Sequence, residues 1–393
     1  MRKFIMFLAV FVMFSLTITA GCTATAMENT EQNVVNGSAR SAYLMDYDTG
    51  TVIYERNSDA KHPIASMVKI MTLLLTFENV NNGTLSLDEK LTISQTASGM
   101  GGSQMFLDAG KEYSVSDLIK GVTVVSANDA SVALAEAISG SKEAFVDLMN
   151  EKAQKLGMVN TVFVNVTGLP ESGQHSTAKD VSIMMRELLK NDEYYKYSGI
   201  YMENYTHPDG RISELVNTNK LIRFYNGCDA GKTGFTNDAM FCLSASAKRD
   251  GTRFIATVLG AQSSKERFAE VSGMFNYAFA NYKNTKIVDK TQLISNEITI
   301  KGGKSETIEI CADRDICALT KKSDKTQYEV SVVVDEKLKA PIKKGAVIGK
   351  IVVTSKVDGA VIGEANIITM KDVDSKSLAD SIKDISDSWF FGK

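Results

Sequence analysis

The sequence predicts an α+β protein: one antiparallel sheet with helices packed against it, then a small all-β domain and a C-terminal helix. Three observations carry this. Strand-type alternation stands at both ends of residues 40–283, around a middle with helical periodicity. Beyond residue 284 the pattern changes to short alternating runs punctuated by turns. The last residues return to helical spacing.

The elements follow in chain order. Arg2 and Lys3 precede an apolar run over 4–19, and Ala24-Thr25-Ala26 ends it with small residues, so residues 1–26 read as a secretory signal peptide. A buried N-terminal helix and a retained membrane anchor are the other readings of that run. Thr19-Ala20-Gly21-Cys22 resembles a bacterial lipoprotein box, although the box normally opens with an aliphatic residue. Cleavage after Ala26 is the preferred expectation over lipid anchoring at Cys22. Elsewhere no stretch reaches the roughly 18 apolar residues that span a bilayer. An exported, otherwise soluble mature chain is expected at the outer face of the bacterial cytoplasmic membrane or in the wall.

Residues 27–39 are polar and read as a flexible lead. Residues 42–54 give two strands around Asp48-Thr49-Gly50. The run 66–77 is apolar all round, which marks a helix in the middle of a domain. Helical periods fill 115–156 and 177–190. Residues 240–247 and 253–259 alternate as strands around a hairpin turn at Lys248-Arg249-Asp250-Gly251-Thr252. Residues 284–372 form the small β-domain, with turns at Gly302-Gly303 and Asp358-Gly359, and read as a spacer or interaction module. Cys311 and Cys317 lie symmetrically about Ala312-Asp313-Arg314-Asp315-Ile316 and either face each other across a hairpin as a disulfide or stay as free thiols. Residues 373–393 set Leu378, Ile382, Ile385 and Trp389 at helical spacing. That is the pattern of a peripheral membrane anchor, yet Asp380, Asp384 and Asp387 are the wrong charge for anionic lipid, and a helix packed on its own protein fits equally.

Composition removes several functions. With 44 Lys+Arg against 47 Asp+Glu, the chain lacks the basic excess that tracks phosphates, so no nucleic-acid partner is expected. Three His and five scattered Cys give no zinc-like spacing; no metal and no cofactor are expected.

Three motifs carry chemistry. In Ser66-Met67-Val68-Lys69 the hydroxyl and amine project from one helix face, and an apolar setting lowers a lysine pKa until the amine acts as a base. Alone, the motif also fits a helix N-cap and a snorkelling lysine. Ser126-Ala127-Asn128 offers a proton relay and an amide ligand, or an N-cap. Lys232-Thr233-Gly234, on a strand, offers a carboxylate holder with a close backbone approach at Gly234, or an ordinary hairpin edge. Taken together and in this order, S-x-x-K, S-x-N and K-T-G are the signature of penicillin-recognising serine enzymes.

On these motifs the chain resembles the D-alanyl-D-alanine carboxypeptidases, the low-molecular-mass penicillin-binding proteins. Further matching stretches are Pro63-Ile64-Ala65-Ser66, Gly102-Ser103-Gln104-Met105-Phe106-Leu107, Gly168-Leu169, Asn217-Thr218-Asn219 and Asp229-Ala230-Gly231-Lys232. The resemblance implies a transpeptidase-type fold with helices on both sides of the sheet and a helical subdomain. It implies Ser66 as acylated nucleophile, Lys69 as general base and Ser126 as relay. Asn128 would bind a substrate amide, while Lys232, Thr233 and Gly234 would hold the terminal carboxylate end. The N–H groups of Ser66 and Phe235 would form an oxyanion hole, and Arg267 would add charge for the carboxylate, or else stay a solvated surface residue. Peptidoglycan stem peptides and β-lactams are the implied partners. The runners-up are a class A-like β-lactamase, which lacks here the E-x-x-L-N glutamate, and a catalytically silent wall-binding module.

Overall fold

The computed structural model describes residues 37–380 and 382, apart from 306, 336 and 337. The signal-peptide and lipid-box expectations, and the tail helix beyond residue 382, lie outside the described residues.

The first sheet opens with β1 (Ser41–Asp46) and β2 (Val52–Arg56), joined by the expected turn. Thr49 N–H and hydroxyl both donate to Asp46 Oδ2 at 2.8 Å, and Gly50 takes the positive φ of 75° that closes the turn. Then come α1 (Lys69–Asn81), α2 (Val115–Val124), α3 (Asn128–Ser139), α4 (Lys142–Lys155) and α5 (Ala178–Leu188). The helices begin where the sequence supplies a cap. Ser114, Ser141 and Thr177 each accept from the N–H three residues on, and Asp117, Glu143 or Asp180 adds negative charge to the first turn. Strands β3 (Cys228–Thr236), β4 (Met240–Arg249) and β5 (Thr252–Ala261) complete the sheet in the order β2-β1-β5-β4-β3, all pairs antiparallel. Helix α6 (Ser264–Asn281) follows.

Strand β5 shows how the layers are held. Every one of its residues is buried, and its side chains alternate between two cores. Phe254, Ala256 and Val258 pack with Val271, Met274 and Phe275 of α6 on one face. Ile255 and Leu259 pack on the other, with α1, α5 and the helical subdomain. A fully buried Ile or Leu contributes about 1.5–3 kcal/mol of apolar transfer, so the two faces of β5 join both cores strongly. Helix α1 carries Ile70, Met71, Leu73 and Leu74 at 0–1% exposure, as an apolar-all-round helix must.

The β-domain consists of β6 (Tyr282–Val288), β7 (Ser295–Thr299), β8 (Thr307–Ala312), β9 (Ile316–Lys321), β10 (Tyr328–Val334), β11 (Val347–Ser355) and β12 (Val361–Thr369). Five of them run in the order β7-β8-β12-β11-β10, and β6 pairs with β9. Ile310, Ile351, Val353 and Ile367 fill the core between them. The hairpin expected around residues 312–316 does not form: β8 pairs with β7 and β12, while β9 crosses to β6, and Cys311 and Cys317 are free thiols. Asn284 of β6 donates from Nδ2 to the carboxylates of Asp46 and Asp48 at 3.0 Å, tying the β6–β9 pair to the β1–β2 turn. Among the described residues no helix is long and apolar enough to cross a membrane.

Candidate active site

Ser66 sits in a 3₁₀ turn, Ala65–Val68, at the mouth of α1. The turn is under backbone tension: Ala65 has φ 49°, the left-handed region that a residue with a Cβ enters only when its surroundings insist. Two glycines supply that insistence. A Cβ on Gly168, whose φ is +81°, would stand 2.0 Å from Ala65 O, and one on Gly234 of β3 would stand 2.6 Å from Ile64 O. Backbone from a loop and from a strand therefore clamps the serine turn from two sides at a distance no other residue permits.

Ser66 is half-buried, while Lys69 below it is fully buried. Lys69 Nζ donates to Ser66 Oγ at 3.2 Å and to the main-chain oxygen of Thr167. Burial holds the Lys69 pKa well below the usual lysine range; Lys232 pushes the same way, and Asp129 opposes them. Among the described residues no carboxylate hydrogen-bonds the amine, and Asp129 uses its two oxygens on the N–H groups of Met105 and Leu107, each at 3.1 Å.

Ser126 lies between α2 and α3 with φ 63°, a second strained position in the cleft. Its Oγ accepts from Lys232 Nζ at 2.8 Å; the amine also donates to Thr233 O at 3.0 Å. Lys232 is 1% exposed, and burial, followed by the charge of Arg267, lowers its pKa to about 7. The link between the helical part and β3 is a tight one. Thr218 N–H donates to Val124 O at the end of α2, and Thr218 Oγ1 accepts from Thr233 Oγ1 at 2.8 Å.

Asn128 begins α3. Its Nδ2 donates to Gly101 O at 2.6 Å, whereas its Oδ1 is buried without a hydrogen-bond partner. An orphaned buried acceptor costs about 1–3 kcal/mol, which a bound N–H donor removes. Phe235 is 51% exposed beside the cleft and stacks on Phe241 at 4.4 Å. Arg267 is not a solvated surface residue: it is 8% exposed behind β3. There its Nη1 donates to Gly234 O at 3.2 Å and Cys242 O at 3.3 Å, between the rings of Phe241 and Phe268. From that position its charge acts on Lys232 through the strand.

The structure thus brings together Ser66 with Lys69, and Ser126 with Lys232, as two hydroxyl–amine pairs, with Asn128, Thr233, Gly234 and Phe235 around them. Sequence reasoning placed Gly168 and Thr218 in matching stretches without a role for either, and it assigned none to Asp129 or to the Thr167 carbonyl.

Two hydroxyls, each paired with a buried lysine of lowered pKa, beside a free sheet edge define an active-site serine enzyme of the acyl-transfer class. The comparisons narrow the class. The family model described as D-alanyl-D-alanine carboxypeptidase matches residues 26–263, and that of the penicillin-binding protein 5 C-terminal domain matches residues 282–375. The chain is 41% identical over 352 residues to the D-alanyl-D-alanine carboxypeptidase DacF of Bacillus subtilis, covering 89% of this chain and 90% of that one. With DacC of Escherichia coli it shares 33% identity, covering 90% and 88%. The solved structure of penicillin binding protein 5 from Haemophilus influenzae superposes with a TM-score of 0.68 at 32% identity, covering 86% of this chain and 98% of that one. The chain belongs to the D-alanyl-D-alanine carboxypeptidase family.

Proposed function

We propose that Ser66 is the acylated nucleophile through which this serine-type D-Ala-D-Ala carboxypeptidase removes the terminal D-alanine of peptidoglycan pentapeptide stems. The observation that carries this reading is the Lys69 amine, buried, 3.2 Å from Ser66 Oγ and with its pKa held low. A neutral amine there takes the serine proton as Oγ attacks the penultimate carbonyl carbon. The N–H groups of Ser66 and Phe235 face the oxyanion, a contribution of roughly 3 kcal/mol per donor in comparable sites. Collapse breaks the peptide C–N bond, and the proton that Lys69 took passes by way of Ser126, which Lys232 holds at 2.8 Å, to the departing D-alanine nitrogen, so the Lys69 amine is neutral again. Water then attacks the Ser66 ester, its proton going to the Lys69 amine and from there to Ser66 Oγ as the shortened stem leaves.

Lys232 and Thr233 hold the substrate's terminal carboxylate, and Arg267 behind the strand supports them by charge. The orphaned Oδ1 of Asn128 accepts the amide N–H of the bound peptide. β-Lactams acylate Ser66 as mimics of the dipeptide. The substrate places the protein outside the cytoplasmic membrane, in keeping with the signal-peptide reading of residues 1–26, with the C-terminal tail as a peripheral membrane contact. The test is D-alanine release from a pentapeptide stem: Ser66→Ala is expected to abolish it, and retained release would refute the assignment.

A further inference from the structure

A cleft of about 310 Å³ opens beside the Ser66 turn. Ile64, Ala65, Leu169 and Pro170 line it, together with the acidic residues Glu171 and Asp238. Among the described residues no lysine, arginine or histidine lines it. Arg40 donates to the main-chain oxygen of Asp238 at 3.2 Å but is not part of the wall. Glu171 is held in place: its Oε2 accepts from Asn165 Nδ2 at 2.9 Å, and Asn165 Oδ1 in turn accepts from Gly168 N–H at 2.7 Å. The acidic side chain is therefore fixed to the same loop that clamps the serine turn.

The place of the cleft along the substrate follows from β3. This strand is at the edge of its sheet and can take an extended peptide beside it. With the terminal carboxylate at Lys232 and Thr233 and the reacting carbonyl at Ser66, the chain upstream runs on toward Thr236 and Asp238. The residue before the penultimate D-alanine arrives at the cleft. In a stem peptide that residue is the diamino acid.

Resting on the reading of Ser66 as nucleophile, we infer that this cleft seats the diamino acid side chain and selects one that ends in an ammonium without a free carboxylate. Ile64, Leu169 and Pro170 receive its methylenes, and Glu171 and Asp238 receive the ammonium. A side chain that carries a carboxylate next to its amine brings a like charge up to two acids, with no cation among the residues that line the cleft. L-Lysine, or a diaminopimelate whose side-chain carboxyl is amidated, fits; free meso-diaminopimelate does not.

The test compares D-alanine release from three acetylated tripeptides ending in D-Ala-D-Ala. Their first residue is L-lysine, Nε-acetyl-L-lysine or meso-diaminopimelate. The lysine peptide is expected to exceed both others in kcat/KM by about fivefold, the scale of a partly solvated charge-assisted contact. The double variant Glu171→Gln/Asp238→Asn should erase that gap, and each single variant should narrow it. The Glu171→Gln side chain still offers Asn165 an acceptor, so the loop stays intact, and the readout is a ratio between peptides, which a general loss of activity does not move. Equal rates in the unsubstituted protein, a preference for free diaminopimelate, or a preference that survives the double substitution would each overturn the inference. No release from any of the three peptides would instead overturn the Ser66 reading, and this one with it.

Discussion

The lysines of the two domains behave in opposite ways. In the cleft, Lys69 and Lys232 are 0% and 1% exposed, have no carboxylate within hydrogen-bond distance among the described residues, and have their pKa values lowered by burial. In the β-domain, Lys286 and Lys343 stand in water, bonded to Asp315 at 2.8 Å and Asp372 at 3.0 Å, with their pKa values raised by those partners. A surface lysine kept cationic by an acid does nothing chemical and contributes little to stability. A lysine stripped of water and left without an acid is destabilising, and its position beside a serine explains why the fold carries it. The difference matches the proposal that the chemistry belongs to the first domain.

Lys69→Met should break the contrast most sharply. Acylation by benzylpenicillin is expected to fall by about 10³-fold or more, since the proposed base is gone while the turn can still pack. Lys343→Met, by the same assay, should leave the rate unchanged. The acylation rate of the unsubstituted protein should also rise with pH through the lowered pKa of Lys69, because only the neutral amine accepts the serine proton.

Gly168→Ala comes next, at about 3 kcal/mol of lost stability, with slower acylation as well. The new methyl meets Ala65 O at 2.0 Å in a backbone conformation that disfavours it. Ile351→Ala, in the core of the β-domain at 1% exposure, should lower stability by about 2–4 kcal/mol yet leave acylation alone. Urea unfolding together with acylation rates distinguishes the two.

A smaller effect lies in the pH dependence of stability. Between about 7, the folded pKa of Lys232, and the unfolded value of 10.5, the unfolded chain holds a proton that the folded chain has lost. Stability from this lysine therefore rises with pH across that window, by at most about 1.4 kcal/mol per pH unit, and is flat below it. The slope of the urea midpoint from pH 7 to 9 should be shallower in Lys232→Met.

Much of this was legible in the sequence because it depends on local pattern. The helical periods over 115–156 and 177–190, the apolar-all-round α1 and the strand alternation on either side of residues 248–252 are short-range signals. The three motifs are short patterns too, and they named the hydroxyl and amine side chains that the structure pairs in the cleft. What stayed hidden depends on contacts distant in sequence. Nothing local says that Gly168 must touch Ala65, that Asp129 spends its oxygens on Met105 and Leu107, or that Arg267 turns inward onto the Gly234 carbonyl. The Cys311–Cys317 hairpin misled in the same way: a symmetric spacing suggests a turn, but strand partners are chosen by the whole sheet, and β9 finds β6.

The central claim is that Ser66 alone is the residue acylated in the cleft. Intact mass of the purified protein after one dose of benzylpenicillin, followed by peptide mapping, tests it directly. The account predicts one stable adduct, confined to the peptide carrying Ser66 and lost in Ser66→Ala. An adduct on Ser126 or elsewhere, or none at all, would contradict it.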